Sequence, residues 1–250
     1  TASVSDLKGS LHTTGSTSMQ KVCDALGEAF KKKYPGVTFL KDGTGSGEAA
    51  AAVTNGTAQI GDLSRDLKDT ETPDAFTKTT IAIDGIALVV NPANKVTNLT
   101  KDQITKIFNG TITDWKDVGG DAGKITVIGR EAASGTRDGF ESFAGIKDKA
   151  KYAAEVTSTG EVITKVASDK LAIGYASLDS VDKTVVATKV EGVAPSEATI
   201  LDKTYLIQRP FVQICKKGST DPLVKAWFDY VASAEGQAVI KKAGLVLPKK

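Results

Sequence analysis

Residues 81–92 read IAIDGIALVVNP, an apolar run long enough for one strand and far too short to span a membrane. A strand that is apolar on both faces has to be covered on both, which points to a sheet packed between layers of helix. The rest of the chain alternates accordingly. Met19, Val22, Cys23, Leu26 and Phe30 fall on one helical face, Lys31 to Lys33 suit the negative end of that helix, and Pro35-Gly36 stops it. VTFL (37–40) reads as a short strand. GTGSGEAAAAVTNG reads as a glycine-rich turn running into an alanine-rich helix that ends near Asn55-Gly56. AQIGDLSRDL adds a brief strand and a loop. LTKDQITKIFNG (99–110) is a helix behind a Thr100 cap, with Ile104, Ile107 and Phe108 on one face. KITVIG is a strand feeding the helix TRDGFESFAG, and GEVITKVASDKLAIGYASL is helix then strand. TYLIQRPFVQICKK (204–217) reads as a strand pair broken at Arg209-Pro210, followed by one long amphipathic helix, PLVKAWFDYVASAEGQAVIKKAG.

The fold class is therefore α/β. Two apolar crossing segments, near 85–91 and 204–215, predict two lobes, with the chain going out to the second and returning to the first. The expected division is 1–88 plus 205–250 for lobe I and 89–204 for lobe II. A chain of 250 residues is long enough for two such cores.

Charge narrows the function. The 32 basic and 30 acidic side chains leave a net +2, without the basic excess of a nucleic-acid binder. The short lysine runs read as solvated faces. Cys23 and Cys215 either form a disulfide in an oxidising compartment or stay as buried thiols, and without a CxxC spacing they are no metal site. TASVSDLKGS at the start shows no charged n-region, no apolar h-region and no initiator Met, so a mature or trimmed chain is expected.

Arginine is the rare residue. The chain has four, Arg65, Arg130, Arg137 and Arg209, and two of them flank the hydroxyl-rich turn in GREAASGTRDGF (129–140). Four stretches share small, hydroxyl-bearing residues with a helix expected straight afterwards: TGSTS (14–18), GTGSG (43–47), LSRD (63–66) and SGTR (134–137). Each turn on its own is what any helix start needs. Together, and enriched in arginine, they describe something more specific. Unpaired amides and the positive end of the dipole attract an anion, glycine allows close approach, and hydroxyls add donors. A guanidinium fork matches a tetrahedral oxyanion in a way that a lysine point charge does not. Arg209, beside Pro210, lacks that context and reads as structural.

Asp84 is the second unusual feature, a lone acid in an apolar strand. It either forms a salt bridge with an arginine or caps a loop, or it accepts a hydrogen bond from a protonated phosphate oxygen and repels fully ionised sulfate. Asp62 is the reserve candidate for that acceptor.

The ordered set TTGSTSM, GTGSGEA, SRDL, IAIDGIALVVNP, LTKDQITKIFNGTITDW, REAASGTRDGF and AIGYASL resembles the phosphate-binding proteins of ABC-type phosphate importers, from about residue 9 to the C-terminal helix. The resemblance implies a two-lobed periplasmic-binding-protein fold of type II, two α/β lobes joined by two crossing strands, with phosphate in the cleft and closure by hinge bending. It also implies the donors: Ser16 and Thr17, Ser46, and Ser64 with Arg65 from one lobe, and Arg130, Ser134, Gly135 and Thr136 from the other. Arg137 matches the pattern as a ligand or as a brace for the loop, and Asp84 fits the acid-bearing strand. The expected partners are inorganic phosphate and a membrane-embedded ABC permease. A monomer is expected, with no cofactor or metal, outside the cytoplasm in the periplasm or on the cell surface through a lipid anchor.

The alternatives are a receptor for sulfate, molybdate or another oxyanion, and a serine-based phosphatase or hydrolase. The single histidine, His12, falls on the first strand, and no GxSxG occurs. Ser18 and Lys21 make an S-x-x-K without K-T-G or S-D-N. GTGSGE lacks both the P-loop lysine and the GxGxxG spacing.

Overall fold

The computed structural model describes residues 7–249. In chain order the elements are β1 (Lys8–Gly15), α1 (Gln20–Lys33), β2 (Gly36–Gly43), α2 (Ser46–Asn55), β3 (Ile60–Leu63), β4 (Phe76–Val90), β5 (Asn98–Leu99), α3 (Lys101–Phe108), β6 (Thr126–Arg130), α4 (Gly135–Ala144), β7 (Ala154–Val156), α5 (Thr159–Ser168), β8 (Ala172–Ser177), β9 (Val186–Ala187), β10 (Lys189–Val190), α6 (Glu197–Leu201), β11 (Gln208–Lys216), α7 (Pro222–Ala232) and α8 (Ala234–Lys242). Two compact units divide the chain. Among the described residues, one holds those up to Ile83 and from Pro210 onward, and the other is Asp84–Arg209. The chain thus leaves the first unit inside β4 and re-enters it inside β11.

In the first unit β1 pairs in parallel with both β2 and β3, and β11 runs antiparallel to β3 with Gln213 opposite Asp62. The apolar face of α1 closes one side. Met19, Val22, Cys23, Leu26 and Phe30 are buried there with Phe211, Trp227 and Tyr230, and Trp227 meets the Phe30 ring edge-on at 5.3 Å. A smaller cluster, Ala49, Val53, Leu63, Val212 and Ile214 among others, lies under α2.

In the second unit β8 is antiparallel to β4 and parallel to β6, and β6 is parallel to β7. The 84–90 half of β4 is buried along its whole length, as its composition requires. One cluster gathers Ile86, Leu88, Phe108, Phe140 and Tyr175, while Ala87, Val89, Val162, Val166 and Ala176 belong to another. Alternate residues of one strand thus feed two cores. Thr100 caps α3, accepting from the Gln103 amide, and Gln103 answers with a bond from the Thr100 amide.

Three local expectations need correction. TYLIQRPFVQICKK holds a single strand that passes through Arg209-Pro210. Proline keeps an extended φ and precedes the Val212–Ile214 stretch that pairs with β3, so its missing N–H costs that ladder nothing. The C-terminal helix is two helices. Ser233 takes extended angles and caps α8 by accepting from the Gly236 amide, which ends α7 at Ala232. After LSRD no helix starts at once. The chain turns and forms only short 3-10 turns at Asp69–Glu71 and Pro73–Ala75, because Arg65 reaches forward to Glu71 and Pro73 opens the second turn.

Candidate functional site

In the first unit the parallel strands β1 and β3 deliver their C-terminal ends to one edge of the sheet, the edge at which open α/β folds hold ligands. Gly15 ends β1 opposite Asp62 with φ +131°. A Cβ there would lie 2.2 Å from the Asp62 carbonyl oxygen, so only glycine fits. That closeness lets the Ser16 amide donate to the same carbonyl at 2.8 Å, while the Gly15 carbonyl accepts from the Gly45 amide at 2.8 Å. Ser46, the first residue of α2, accepts at Oγ from the Ser64 amide at 3.0 Å, and the two hydroxyls lie 3.2 Å apart. The turns carrying Ser16, Ser46 and Ser64 are therefore tied into one buried cluster. Thr17, half-buried, opens the short 3-10 turn before α1. Arg65 forms a two-pronged pair with Glu71 at 2.7 Å on each prong. Burial opposes ionisation of Glu71, but the Arg65 hydrogen bonds prevail and keep its carboxyl below the ordinary value.

Behind the Ser16 turn runs a buried polar chain. Trp227 Nε1 donates to Gln213 Oε1 at 2.8 Å, Gln213 Nε2 donates to Asp62 Oδ1 at 2.8 Å, and Lys41 Nζ faces Asp62 Oδ2 at 3.3 Å. Asp62 is thus committed to its neighbours within the first unit.

In the second unit the parallel strands β6 and β8 end at Arg130 and Ser177. The Arg130 guanidinium is anchored on two sides, by Nε and NH2 to Glu131 at 2.8 Å each and by NH1 to Thr159 Oγ1 at 3.2 Å. Its amide donates to the Tyr175 hydroxyl at 3.1 Å. Burial pushes the Tyr175 phenol up to about 12, keeping it a neutral partner. Ser134 caps α4 by accepting from the Arg137 amide, placing Gly135 and Thr136 in the first turn, where a helix has no acceptors of its own for its amides. Arg137 NH1 donates to the Arg130 carbonyl at 2.7 Å, Nε pairs with Glu141 at 2.8 Å, and the guanidinium lies over the Tyr152 ring at 5.1 Å. Arg137 braces the strand end that carries Arg130.

Asp84 is paired. Its Oδ2 accepts from Arg209 Nε and NH2 at 3.1 and 3.0 Å and from Ser177 Oγ at 2.8 Å. Ser177 Oγ also lies 2.7 Å from Asp179 Oδ1, and one hydroxyl proton cannot serve both carboxylates. Burial pushes the Asp84 carboxyl up to about 7, with the Arg209 charge pulling it back and the Asp179 charge adding to the rise. Arg209 NH1 donates to Thr136 Oγ1 at 2.6 Å.

The chain is similar to known proteins along nearly its whole length. Residues 1–235 match the PBP superfamily domain. The phosphate-binding protein PstS of Bacillus subtilis is 32% identical over 93% of this chain and 78% of its own length, and PstS of Pseudomonas aeruginosa PAO1 is 31% identical over 98% and 85%. This chain belongs to the PBP superfamily, among the PstS phosphate-binding proteins. Solved structures agree with the PstS assignment. A Clostridium perfringens protein described as the substrate-binding protein of a phosphate ABC transporter, with bound phosphate, superposes with a TM-score of 0.93 at 37% identity over 96% of this chain and all of its own. An ABC-type phosphate transport receptor from Vibrio cholerae gives 0.79 at 36% identity over 95% of this chain and all of its own. The two-lobed α/β binding-protein architecture expected of a PstS chain is the fold of this protein.

Sequence reasoning passed over Lys41 and Gln213, and read Arg209 as structural without naming its partners; all three support the candidate donors. Gln213 and Arg209 did carry a signal, as polar residues inside the apolar stretch LIQRPFVQIC. Lys41 carried none, because a lysine at a strand end reads as solvated.

Proposed function

We propose that this chain is a receptor that binds inorganic phosphate outside the cytoplasm and passes it to a membrane-embedded ABC permease, without catalysing a reaction on it. The observation that carries the reading is the clustering, within each unit, of hydroxyls and helix-start amides at strand C-termini, joined in the second unit by the braced Arg130 guanidinium. The phosphate bound in the C. perfringens relative supports the choice of ligand. The proposed donors are Ser16, Thr17, Ser46 and Ser64 from the first unit and Arg130, Ser134, Gly135 and Thr136 from the second. Arg137 acts as a brace. Arg65, gripped by Glu71, shapes the Ser64 turn, and Asp84 acts behind the donors through Arg209. Charge-assisted hydrogen bonds shielded from water supply the affinity. Among the described residues no helix is long and apolar enough to cross a membrane.

The test is a calorimetric titration of ligand-stripped protein with phosphate, sulfate and arsenate across pH, with a phosphomonoester turnover assay alongside. Saturable phosphate binding in preference to sulfate, without turnover, is the expected result. Equal affinity for sulfate makes the protein a general oxyanion receptor, and turnover makes it an enzyme; either overturns the reading.

A further inference from the structure

Arg209 closes the second unit and reaches two side chains at once. Nε and NH2 donate to Asp84 Oδ2, and NH1 donates to Thr136 Oγ1 at 2.6 Å. All three residues are buried, with 4%, 1% and 1% of their surface exposed. A guanidinium is donor-only, so Thr136 Oγ1 accepts from it and the Thr136 proton points to some other group. A hydroxyl that accepts a charge-assisted hydrogen bond is a stronger donor at its own proton. Thr136 lies in the first turn of α4, at the positive end of the helix dipole. Asp84 keeps Arg209 in this pose: Nε and NH2 hold the guanidinium along one edge against Oδ2, which directs the NH1 arm at Thr136. Burial lowers the Arg209 pKa and the nearby Arg130 charge adds to the lowering, so two buried cations share this region of the unit.

We propose that Arg209, anchored by Asp84, is a positioning residue that sets the Thr136 hydroxyl as a hydrogen-bond donor to a bound tetrahedral oxyanion. The inference rests on the reading of Thr136 as a phosphate donor. Arg209 itself touches no ligand in this account. Lysine cannot replace it, because one ammonium cannot present two donors to Asp84 and a third, rigidly offset, to Thr136.

The test is a double-mutant cycle in phosphate affinity, measured by calorimetry on ligand-stripped wild type, R209K, T136V and the double variant, with thermal melts in the absence of phosphate. T136V and R209K are each expected to weaken binding about tenfold or more, the scale of one hydrogen bond to a charged group. Because both remove the same interaction, the double variant is expected to stay within about threefold of T136V. R209K with wild-type affinity, or with a lowered melting temperature as its only change, overturns the inference and leaves the functional reading standing. A double variant weakened by the product of the two single effects also overturns it, because Arg209 then acts independently of Thr136. Wild-type protein that takes up no phosphate overturns the functional reading and this inference with it. If R209K is unfolded at the titration temperature, the paired variant D84N/R209Q, which removes both buried charges together, takes its place in the cycle under the same outcomes.

Discussion

Lys41 Nζ stands 3.3 Å from Asp62 Oδ2 with 1% and 0% of the two side chains exposed, and the same ammonium donates to the Ser16 carbonyl at 3.3 Å. The turn offered as the first anion-binding element is therefore built on a buried ion pair. The Asp62 backbone carbonyl takes the Ser16 amide, and the Asp62 side chain holds the lysine that takes the Ser16 carbonyl. Gln213 and Trp227 complete the support from β11 and α7. One acid thus fixes both the amide and the carbonyl of Ser16, directly or at one remove.

Lys41→Met is expected to cost about 3–5 kcal/mol of stability, because it strands the Asp62 charge in a dry interior. Urea denaturation checks this. Asp62→Asn added to Lys41→Met removes the orphaned charge, so the double variant is expected to be more stable than Lys41→Met alone. If the single and double variants unfold at the same urea concentration, Asp62 is not stranded and the pair is weaker than its burial indicates.

Arg130→Lys keeps the charge and loses the fork. The guanidinium meets Glu131 with two donors and Thr159 with a third, and an ammonium cannot span those directions. Phosphate affinity by calorimetry is expected to fall about tenfold or more, on the scale of one charge-assisted bond. Arg137→Lys removes the brace on the Arg130 carbonyl and is expected to produce a smaller loss in the same direction. Wild-type affinity in Arg130→Lys would remove Arg130 from the donor set.

Asp84 makes stability depend on pH in a way that can be separated from other groups. Burial raises its carboxyl from the ordinary 3.8 to about 7, against the pull of Arg209 and with the push of Asp179. Between those values the unfolded chain has released a proton that the folded chain retains. Its stabilising contribution is complete below about pH 4 and lost as pH rises to about 7, at no more than about 1.4 kcal/mol per pH unit. Asp84→Asn removes this titration. In urea denaturation from pH 4 to 8, wild-type stability minus that of Asp84→Asn is expected to decline up to about pH 7 and level off above it. A flat difference would mean that Arg209 keeps Asp84 ionised throughout. Because Asp84 Oδ2 is committed to Arg209 and Ser177, Asp84→Asn is also expected to weaken phosphate and sulfate binding together rather than alter the preference between them.

The helices and strands were legible wherever one face of an element decides its fate. Ile104, Ile107 and Phe108 announced α3, and the apolar run at 81–92 announced β4, because burial imposes a period on the residues. Ser134 as a helix cap was legible for the same local reason. What stayed hidden depends on residues far apart in the chain. The break at Ser233 hinges on a single serine choosing to cap rather than continue the helix, and the apolar periodicity runs straight through it. Arg209 looked structural because its partners, Asp84 and Thr136, lie 125 and 73 positions away. The pairing of Arg65 with Glu71 stayed hidden because Glu71 sits in a stretch with no periodicity to read. Arginine content singled out these turns, but only the folded chain shows which carboxylate each guanidinium meets, Glu71 for Arg65 and Glu131 for Arg130.

Cys23 and Cys215 are both buried and free rather than bridged. Cys23 lies wholly inside the first unit, with Sγ 3.7 Å from Asp62 Oδ1, and burial together with the Asp62 charge pushes its thiol well above the usual range. Burial raises the Cys215 thiol as well, but this residue stands next to exposed Lys216 near the end of β11. Thiolate, rather than thiol, attacks a disulfide reagent. Native protein at pH 8 is therefore expected to leave Cys23 unmodified over a period in which urea-unfolded protein reacts at both positions, with Cys215 the first to react when the fold is loosened. Peptide mapping after timed labelling distinguishes the two thiols. Reductant is expected to leave the melting temperature unchanged, since no covalent link exists to be cut. A melting temperature lowered by reductant, or Cys23 labelled ahead of Cys215, would contradict this placement of the two sulfurs.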